Sequence, residues 1–233
     1  MNGLLLIDKP KGWTSFDVVN RVRRLVQNSE LNTSNKKRFP VGHTGTLDPL
    51  ATGLLVLLLG TYTKRAMELT KLPKTYEVTV LLGQTSTTGD AEGQKTVVSD
   101  LQPTPEAIKV ACQRFIGDSS QVPPAYSAVK VNGQRAYKLA REGKAVTLEP
   151  RPVHIDYIKI TSYQYPYVRF TTHVSSGTYI RTLVEDIGQV LHTGAYMSDL
   201  RRTTVGEFSI DQAISADDLD AVRIQDHLQS PQA

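Results

Sequence analysis

The sequence predicts an α+β fold in a single domain, and three observations carry that reading. Two apolar runs of strand length, Leu4–Ile7 and Leu54–Leu59, sit among turn residues. The segment Tyr179–Leu191 places Ile180, Leu183, Val184, Ile187 and Leu191 on one helical stripe. Between them, strands and helices follow one another without the regular alternation that a doubly wound sheet requires.

In chain order, Gly3–Ile7 reads as a short buried strand and Lys9-Pro10-Lys11-Gly12 as a turn. Thr14 or Ser15 caps a helix over Phe16–Val26 whose apolar stripe is Val18, Val22 and Leu25, with Arg21 and Arg24 facing elsewhere. Asn28–Lys37 is a polar loop and Gly42–Gly53 a second one, rich in Gly and Thr. After the strand Leu54–Leu59 come a helix over Lys64–Lys71, a strand over Thr75–Leu82 and an irregular polar loop over Gly83–Gly93. Thr104-Pro105-Glu106 starts a helix that runs to about Phe115, the cap followed by proline at the first helical position. Tyr126–Val131 is a strand leading into the tight-turn dipeptide Asn132-Gly133, and Arg135–Glu142 a short basic helix stopped by Gly143. Val153–Tyr163 and Tyr167–Ser175 are two strands joined around Pro166. Beyond the Tyr179–Leu191 helix, residues 195–208 return to strand, and Ser215 caps a last acidic helix.

Composition narrows the function classes. The 233 residues are 39% apolar and 21% charged, an ordinary globular balance, with a net charge of +4. The charge is uneven: residues 1–74 hold twelve Lys and Arg against five acids, residues 207–233 one Arg against six. Such a split fits a polyanion partner for one face, and equally a solvated surface with chance clustering. A lone Cys112 excludes a disulfide framework and a thiolate zinc site, and its place among Ile108, Ala111 and Phe115 reads as a buried inert thiol. Leu4–Ile7 is too short for a signal peptide and Leu54–Leu59 too short to span a bilayer, so a cytoplasmic protein with no membrane contact is expected.

Common site motifs are missing. Gly83–Gly89 looks loosely like a P-loop, but its glycines stand one residue too far apart and Asp90 follows where the phosphate-binding lysine belongs. There is no GxGxxG, no GxSxG and no HxxxH, so neither a cofactor nor a metal is expected. The informative stretch is Gly42–Gly53 (GHTGTLDPLATG), with two glycines, a histidine, an aspartate before proline and an apolar strand directly behind. Pro49 biases Asp48 away from helical backbone angles, so its carboxylate projects from a constrained loop anchored to a buried strand. On the residues alone this is either a catalytic carboxylate or a turn aspartate bonding its own backbone.

The same stretch resembles the catalytic-aspartate motif of the bacterial tRNA uridine-55 pseudouridine synthases, the TruB family. Leu4–Ser15 (LLLIDKPKGWTS), Lys74-Thr75-Tyr76, Tyr126–Lys130 (YSAVK), Ser176–Arg181 (SGTYIR) and Ser198–Arg202 (SDLRR) are similar to further motifs of the family, in family order from residue 4 to about residue 208. The resemblance implies a pseudouridine synthase fold: a mixed, mostly antiparallel sheet flanked by helices, with a thumb insertion. It implies a catalytic domain over 1–212, an RNA-clasping thumb at 124–152 and a short acidic tail at 213–233. Two departures from the family pattern stand out. Asn28–Phe39 lengthens the connection before Gly42, and a separate C-terminal RNA-binding domain is not expected after the tail.

By this resemblance Asp48, Tyr76 and Arg181 are catalytic and His43, Tyr179, Leu200, Lys130 and Arg141 bind substrate. Asp48 either attacks the ribose or removes its 2′ proton, and no second acid lies in its loop for glycosidase-type chemistry. Arg181 falls at a helix start, where a cation opposes the dipole; the resemblance assigns it Asp48 as partner. Tyr76 stacks on the flipped base, His43 fills the space it vacates, and Lys9 and Pro10 brace the catalytic loop. The expected partner is the tRNA T-arm stem-loop, bound by a monomer with no obligate protein partner. Two other readings stay open: a synthase for another RNA, or an RNA-binding tRNA folding chaperone.

Overall fold

The computed structural model describes residues 1–30, 38–131 and 133–229. In chain order it contains β1 (Gly3–Lys9), α1 (Ser15–Gln27), β2 (Val41–His43), β3 (Thr52–Leu59), a 3-10 turn (Gly60–Arg65), α2 (Ala66–Thr70), β4 (Lys74–Leu82), β5 (Gln84–Ser86), β6 (Lys95–Val97), α3 (Pro105–Gln113) and β7 (Gly117–Gln121). There follow β8 (Lys130–Val131), β9 (Gln134–Arg135), α4 (Ala136–Arg141), β10 (Arg151–Gln164), β11 (Tyr167–Val174), α5 (Ile180–Val190), β12 (Ala195–Val205), β13 (Phe208–Ser209), a 3-10 turn (Ile210–Gln212), β14 (Ile214–Ser215) and α6 (Ala221–Asp226). Strand pairing is mixed: β1 with β14 and β3 with β12 run parallel, while β1–β3, β2–β3, β7–β10 and β10–β11 are antiparallel. The chain forms two compact units, Met1–Tyr76 with Arg201–Ala233, and Glu77–Leu200.

The first unit is built on β3. It pairs along its whole length with β1, from Gly3 opposite Leu59 to Lys9 opposite Gly53. On its other side β2 covers one end (His43 opposite Leu57) and β12 the other (Arg202 opposite Gly53). One face of these strands (Leu5, Ile7, Leu55, Leu57, Leu59) packs on Val18, Val19, Val22 and Val26 of α1 and on Ile224 of α6. The opposite face (Leu4, Leu6, Leu54, Val56, Leu58) packs on Leu69, Val205 and Phe208. A strand covered on both faces has no polar side, which is why residues 54–59 are apolar without alternation.

In the second unit, β10 pairs with β7 and β11, and α5 buries Ile180, Leu183, Val184 and Ile187. Gly188 is required where α5 meets β12, since a Cβ there would stand 2.4 Å from the Ala195 nitrogen. Cys112 is buried on α3, and burial pushes its thiol up to about 11, in keeping with an inert side chain.

Several expectations are corrected. The Gly42–Gly53 loop is shorter, because Gly42 and His43 belong to β2 and Thr52 and Gly53 to β3. The Lys64–Lys71 helix is a 3-10 turn followed by the short α2, which Pro73 forces to end before Leu72. On α1 it is Val19 and Val26 that complete the buried face, with Leu25 only partly buried. Gly83–Gly93 is not wholly irregular, since β5 pairs with β6. Tyr126–Val131 is strand only at Lys130–Val131; the Tyr126, Ser127 and Ala128 carbonyls accept from Arg181, Tyr137 and Arg135 instead. The last helix is capped by Asp220, whose carboxylate accepts from the Arg223 N–H at 2.8 Å, while Ser215 lies in β14. β7 was not foreseen, because its polar sequence GDSSQ carries no apolar period. Residues 31–37 of the expected polar loop, and Asn132 of the turn dipeptide, lie outside the described residues.

Candidate active site

Asp48 stands in the connection between β2 and β3, half-buried between the buried Leu47 and Leu50. Both of its neighbours are anchored. The Ser15 hydroxyl donates to the Leu47 carbonyl at 3.0 Å and accepts from the Leu47 N–H at 2.8 Å. The Gly12 N–H donates to the Pro49 carbonyl at 2.8 Å, and the Ala51 N–H closes a turn onto the Asp48 carbonyl at 3.1 Å.

These anchors are themselves set by local sequence. Ser15 opens α1, whose start is fixed by a capping box: the Thr14 hydroxyl accepts from the Asp17 N–H, and Asp17 accepts from the Thr14 N–H. Gly12 is presented by the turn after β1. There the fully buried Lys9 ammonium donates to the carbonyls of Pro10 (2.9 Å) and Trp13 (2.7 Å). Lys9 thus holds together the turn from which Gly12 reaches Pro49.

His43 closes β2, and its Nδ1 accepts from the Gly45 N–H at 3.3 Å, which leaves the proton on Nε2. Burial, reinforced by the Arg202 charge, holds its pKa below the usual imidazole value, so His43 is neutral at neutral pH. Lys74 and Tyr76 share the buried face of β4. The Lys74 ammonium donates to the Thr70 carbonyl at 2.7 Å and to that of Leu72, and burial together with Arg202 lowers its pKa to about 8. Beside them Arg201 grips Asp8 through two bonds of 3.0 and 2.7 Å.

In the second unit, Tyr179 is the N-cap of α5 and makes no side-chain cap. The Gln121 amide instead holds the Tyr179 backbone, accepting from its N–H at 2.7 Å and donating to its carbonyl at 3.1 Å. Arg181, in the first turn, is buried. Its Nη1 donates to the Thr88 carbonyl at 3.0 Å, its Nη2 to the Tyr126 carbonyl at 2.8 Å, and Asp90 Oδ2 lies 3.8 Å from Nη1. These acceptors offset the unfavourable dipole at this end of the helix. Asp90 is buried too and accepts from the Glu92 N–H at 3.0 Å. Gly89 (φ +73°) brings this loop so close that a Cβ would stand 2.9 Å from Glu185 Oε1.

Leu200 is buried on β12. Lys130 on β8 and Arg141 on α4 are exposed, as are Arg135, Lys138, Lys144 and Arg151 around them. The Arg141 guanidinium sits 5.7 Å over the Tyr137 ring. Thus His43, Asp48 and Tyr76 belong to the first unit, and Tyr179, Arg181, Leu200, Lys130 and Arg141 to the second. Sequence reasoning missed Arg202, Asp90 and Gln121. Arg202 ends the SDLRR stretch and Asp90 sits in a polar loop, and nothing local to either position signals a role.

Residues 32–180 match the model of the TruB family pseudouridylate synthase N-terminal domain, and residues 181–231 that of the tRNA pseudouridylate synthase B C-terminal domain. The chain is 44% identical over 221 residues to tRNA pseudouridine synthase B of Burkholderia mallei (strain NCTC 10247), covering 95% of this chain and 70% of the relative. With the protein of the same name from Clostridium novyi (strain NT) it is 44% identical over 228 residues, covering 98% and 75%. Among solved structures it resembles a chain of a Cbf5-Nop10-Gar1 complex (TM-score 0.70, 28% identity, 93% of this chain). It also resembles one of an H/ACA RNP bound to a substrate RNA containing 2′-deoxyuridine (TM-score 0.68, 25% identity, 97% of this chain). The chain spans about half the length of these two structures, 53% and 56%.

Proposed function

This chain belongs to the TruB family of pseudouridylate synthases, and from that premise we propose that it isomerises a uridine of the tRNA T-arm loop (position 55) to pseudouridine. The observation that best supports this reading is the anchored loop. Leu47 and Pro49 are tied to Ser15 and Gly12, so Asp48 stands on a backbone held on either side. A carboxylate fixed in this way is pre-positioned for one reaction geometry.

The reaction breaks the N1–C1′ bond, turns the uracil and forms a C5–C1′ bond. A proton leaves C5 and one is taken up at N1, so no redox partner or group donor is consumed. Asp48 acts at the ribose, by attack on C1′ or by removal of the 2′ proton. The target nucleotide is extruded from its folded loop before reaction, and the neutral His43 takes the place it leaves. Tyr76 stacks on the flipped base, and its hydroxyl helps remove the C5 proton by relaying it, taking one proton as it passes its own on towards solvent. Arg181 serves as the catalytic cation, and Tyr179 and Leu200 contact the base. Residues 124–152 are the thumb, with Lys130 and Arg141 on RNA phosphates. In this reading the catalytic domain spans 1–212, and the protein works in the cytoplasm as a monomer without cofactor or protein partner. Among the described residues, no helix is long and apolar enough to cross a membrane.

The test is to incubate the purified protein alone with unmodified tRNA and map pseudouridine at nucleotide resolution. One pseudouridine per tRNA, in the T-arm loop, is expected. No product, product elsewhere, or product only with an added guide RNA would overturn the proposal.

A further inference from the structure

Arg202 is 1% exposed and heads the largest fully buried side chains of the described residues. Burying a guanidinium costs several kcal/mol unless its donors are satisfied, so this position asks for a reason. Arg201 and Arg202 are consecutive on β12 and therefore point to opposite sides of the strand. Arg201 reaches the half-exposed Asp8, and Arg202 turns inward.

The acceptors of the Arg202 guanidinium are main-chain carbonyls. Nε donates to Leu54 at 2.8 Å and Nη2 to Gly45 at 3.1 Å. Gly45 lies three residues before Asp48 and Leu54 six residues after it, so one planar group joins the two limbs of the Asp48 loop. The backbone is shaped to admit it. Arg202 is in register with Gly53 (φ +99°), where a Cβ would stand 2.3 Å from the Arg202 carbonyl oxygen. On the loop side, a Cβ on Gly45 would stand 3.4 Å from Nη1.

We infer that Arg202 is a positioning residue of the isomerisation: buried away from the RNA, it clamps the loop at Gly45 and Leu54 and thereby fixes where Asp48 stands. The inference rests on the functional reading above. It explains why an arginine occupies a buried site that a leucine could fill with less desolvation. A planar fork holds two carbonyls at a fixed angle, whereas a lysine offers one nitrogen and a methionine none. The charge has a second effect, since after burial it is the Arg202 guanidinium that lowers the pKa of both His43 and Lys74.

Arg202→Lys and Arg202→Met test this. Arg202→Met removes the buried charge without opening a large cavity, so a folded protein is expected even if the lysine variant is unstable. Both variants should bind tRNA within about threefold of wild type, yet their single-turnover rate at saturating tRNA should fall about 100-fold. Amide resonances of Thr44–Ala51 should shift in both, and the His43 imidazole should titrate at higher pH in Arg202→Met only. Normal single-turnover rates per folded molecule, or unshifted loop amides, would overturn the inference. If the wild-type protein itself makes no pseudouridine, the functional reading fails instead, and the loop amides alone decide whether the clamp exists.

Discussion

Ser15 holds Leu47 by two hydrogen bonds from one hydroxyl, donating at 3.0 Å and accepting at 2.8 Å, one residue away from Asp48. Both Ser15 and Leu47 are buried, so no solvent replaces the hydroxyl once it is removed. Ser15→Ala keeps the start of α1, where alanine is a good helix former, but leaves a buried N–H and C=O without partners. A loss of about 2–3 kcal/mol in urea unfolding is expected, together with a slower single-turnover rate. Unchanged stability would show that the loop is held by its other anchors alone.

Asp48→Asn keeps the shape of the side chain and removes its charge. It should fold and bind tRNA while losing about 10⁴-fold or more in rate, the scale seen when a covalent catalyst loses its nucleophile. Tyr76→Phe keeps the buried ring on β4 and should retain binding while losing turnover. Normal single-turnover rates in Tyr76→Phe would reduce Tyr76 to a stacking platform.

Arg181 separates geometry from charge. Its two terminal nitrogens bond different carbonyls, Thr88 and Tyr126, and one of them lies 3.8 Å from Asp90. A lysine preserves the charge but cannot serve both carbonyls in one plane. Arg181→Lys should therefore lose about 100-fold in kcat with little change in tRNA affinity. A variant with wild-type kcat would mean that only the charge is used.

Lys74 makes a prediction about pH. Its pKa is about 8 in the folded protein against an ordinary 10.5, so burial disfavours the charged form. Between these values the unfolded chain binds the additional proton, and stability from this group rises as pH rises. The destabilisation is fully present below pH 8 and is relieved as the pH approaches 10.5. Relative to Lys74→Met, in which the other titrations cancel, the wild-type protein should gain about 2–3 kcal/mol between pH 7 and 10. A constant difference across that range would place the ammonium in a solvated environment.

What could be read from the sequence divides along physical lines. β3 and α5 were legible because burial imposes a local pattern on them, an apolar run in one and a 3.6-residue stripe in the other. β7 was not, because Gly117–Gln121 pairs through its backbone with β10 and Asp118, Ser119 and Ser120 are exposed, so only Gln121 is buried and no apolar period marks the strand. The Asp48 loop could be singled out, since Gly, Pro and Asp constrain the chain locally. The partners that hold it, Ser15 and Arg202, lie 32 residues before Leu47 and 157 after Gly45. No local pattern announces bonds at that separation. Asp90 was hidden for the same reason: only packing against α5 makes a polar-loop aspartate a neighbour of Arg181.

The thumb supplies the last test, because its cations do different work from those of the core. Lys130, Arg135, Lys138, Arg141, Lys144 and Arg151 are all exposed, and Glu142 is occupied by Lys144 at 2.7 Å. Arg141 is poised over the Tyr137 ring, which gives it an ordered stem and a free outer edge for a phosphate. If these cations meet the RNA backbone, each contact releases a counterion, and removing one should lower the slope of log affinity against log salt by about 0.7–0.9. Lys130→Ala and Arg141→Ala should each weaken tRNA binding in this salt-dependent way, leaving kcat at saturating tRNA within about twofold. Neither residue is buried or holds another element, so the melting temperature should barely move. The decisive comparison is the salt series. A variant that loses affinity equally at low and high salt would be acting through packing of α4, and one that loses kcat would place the thumb in the chemistry rather than in the grip.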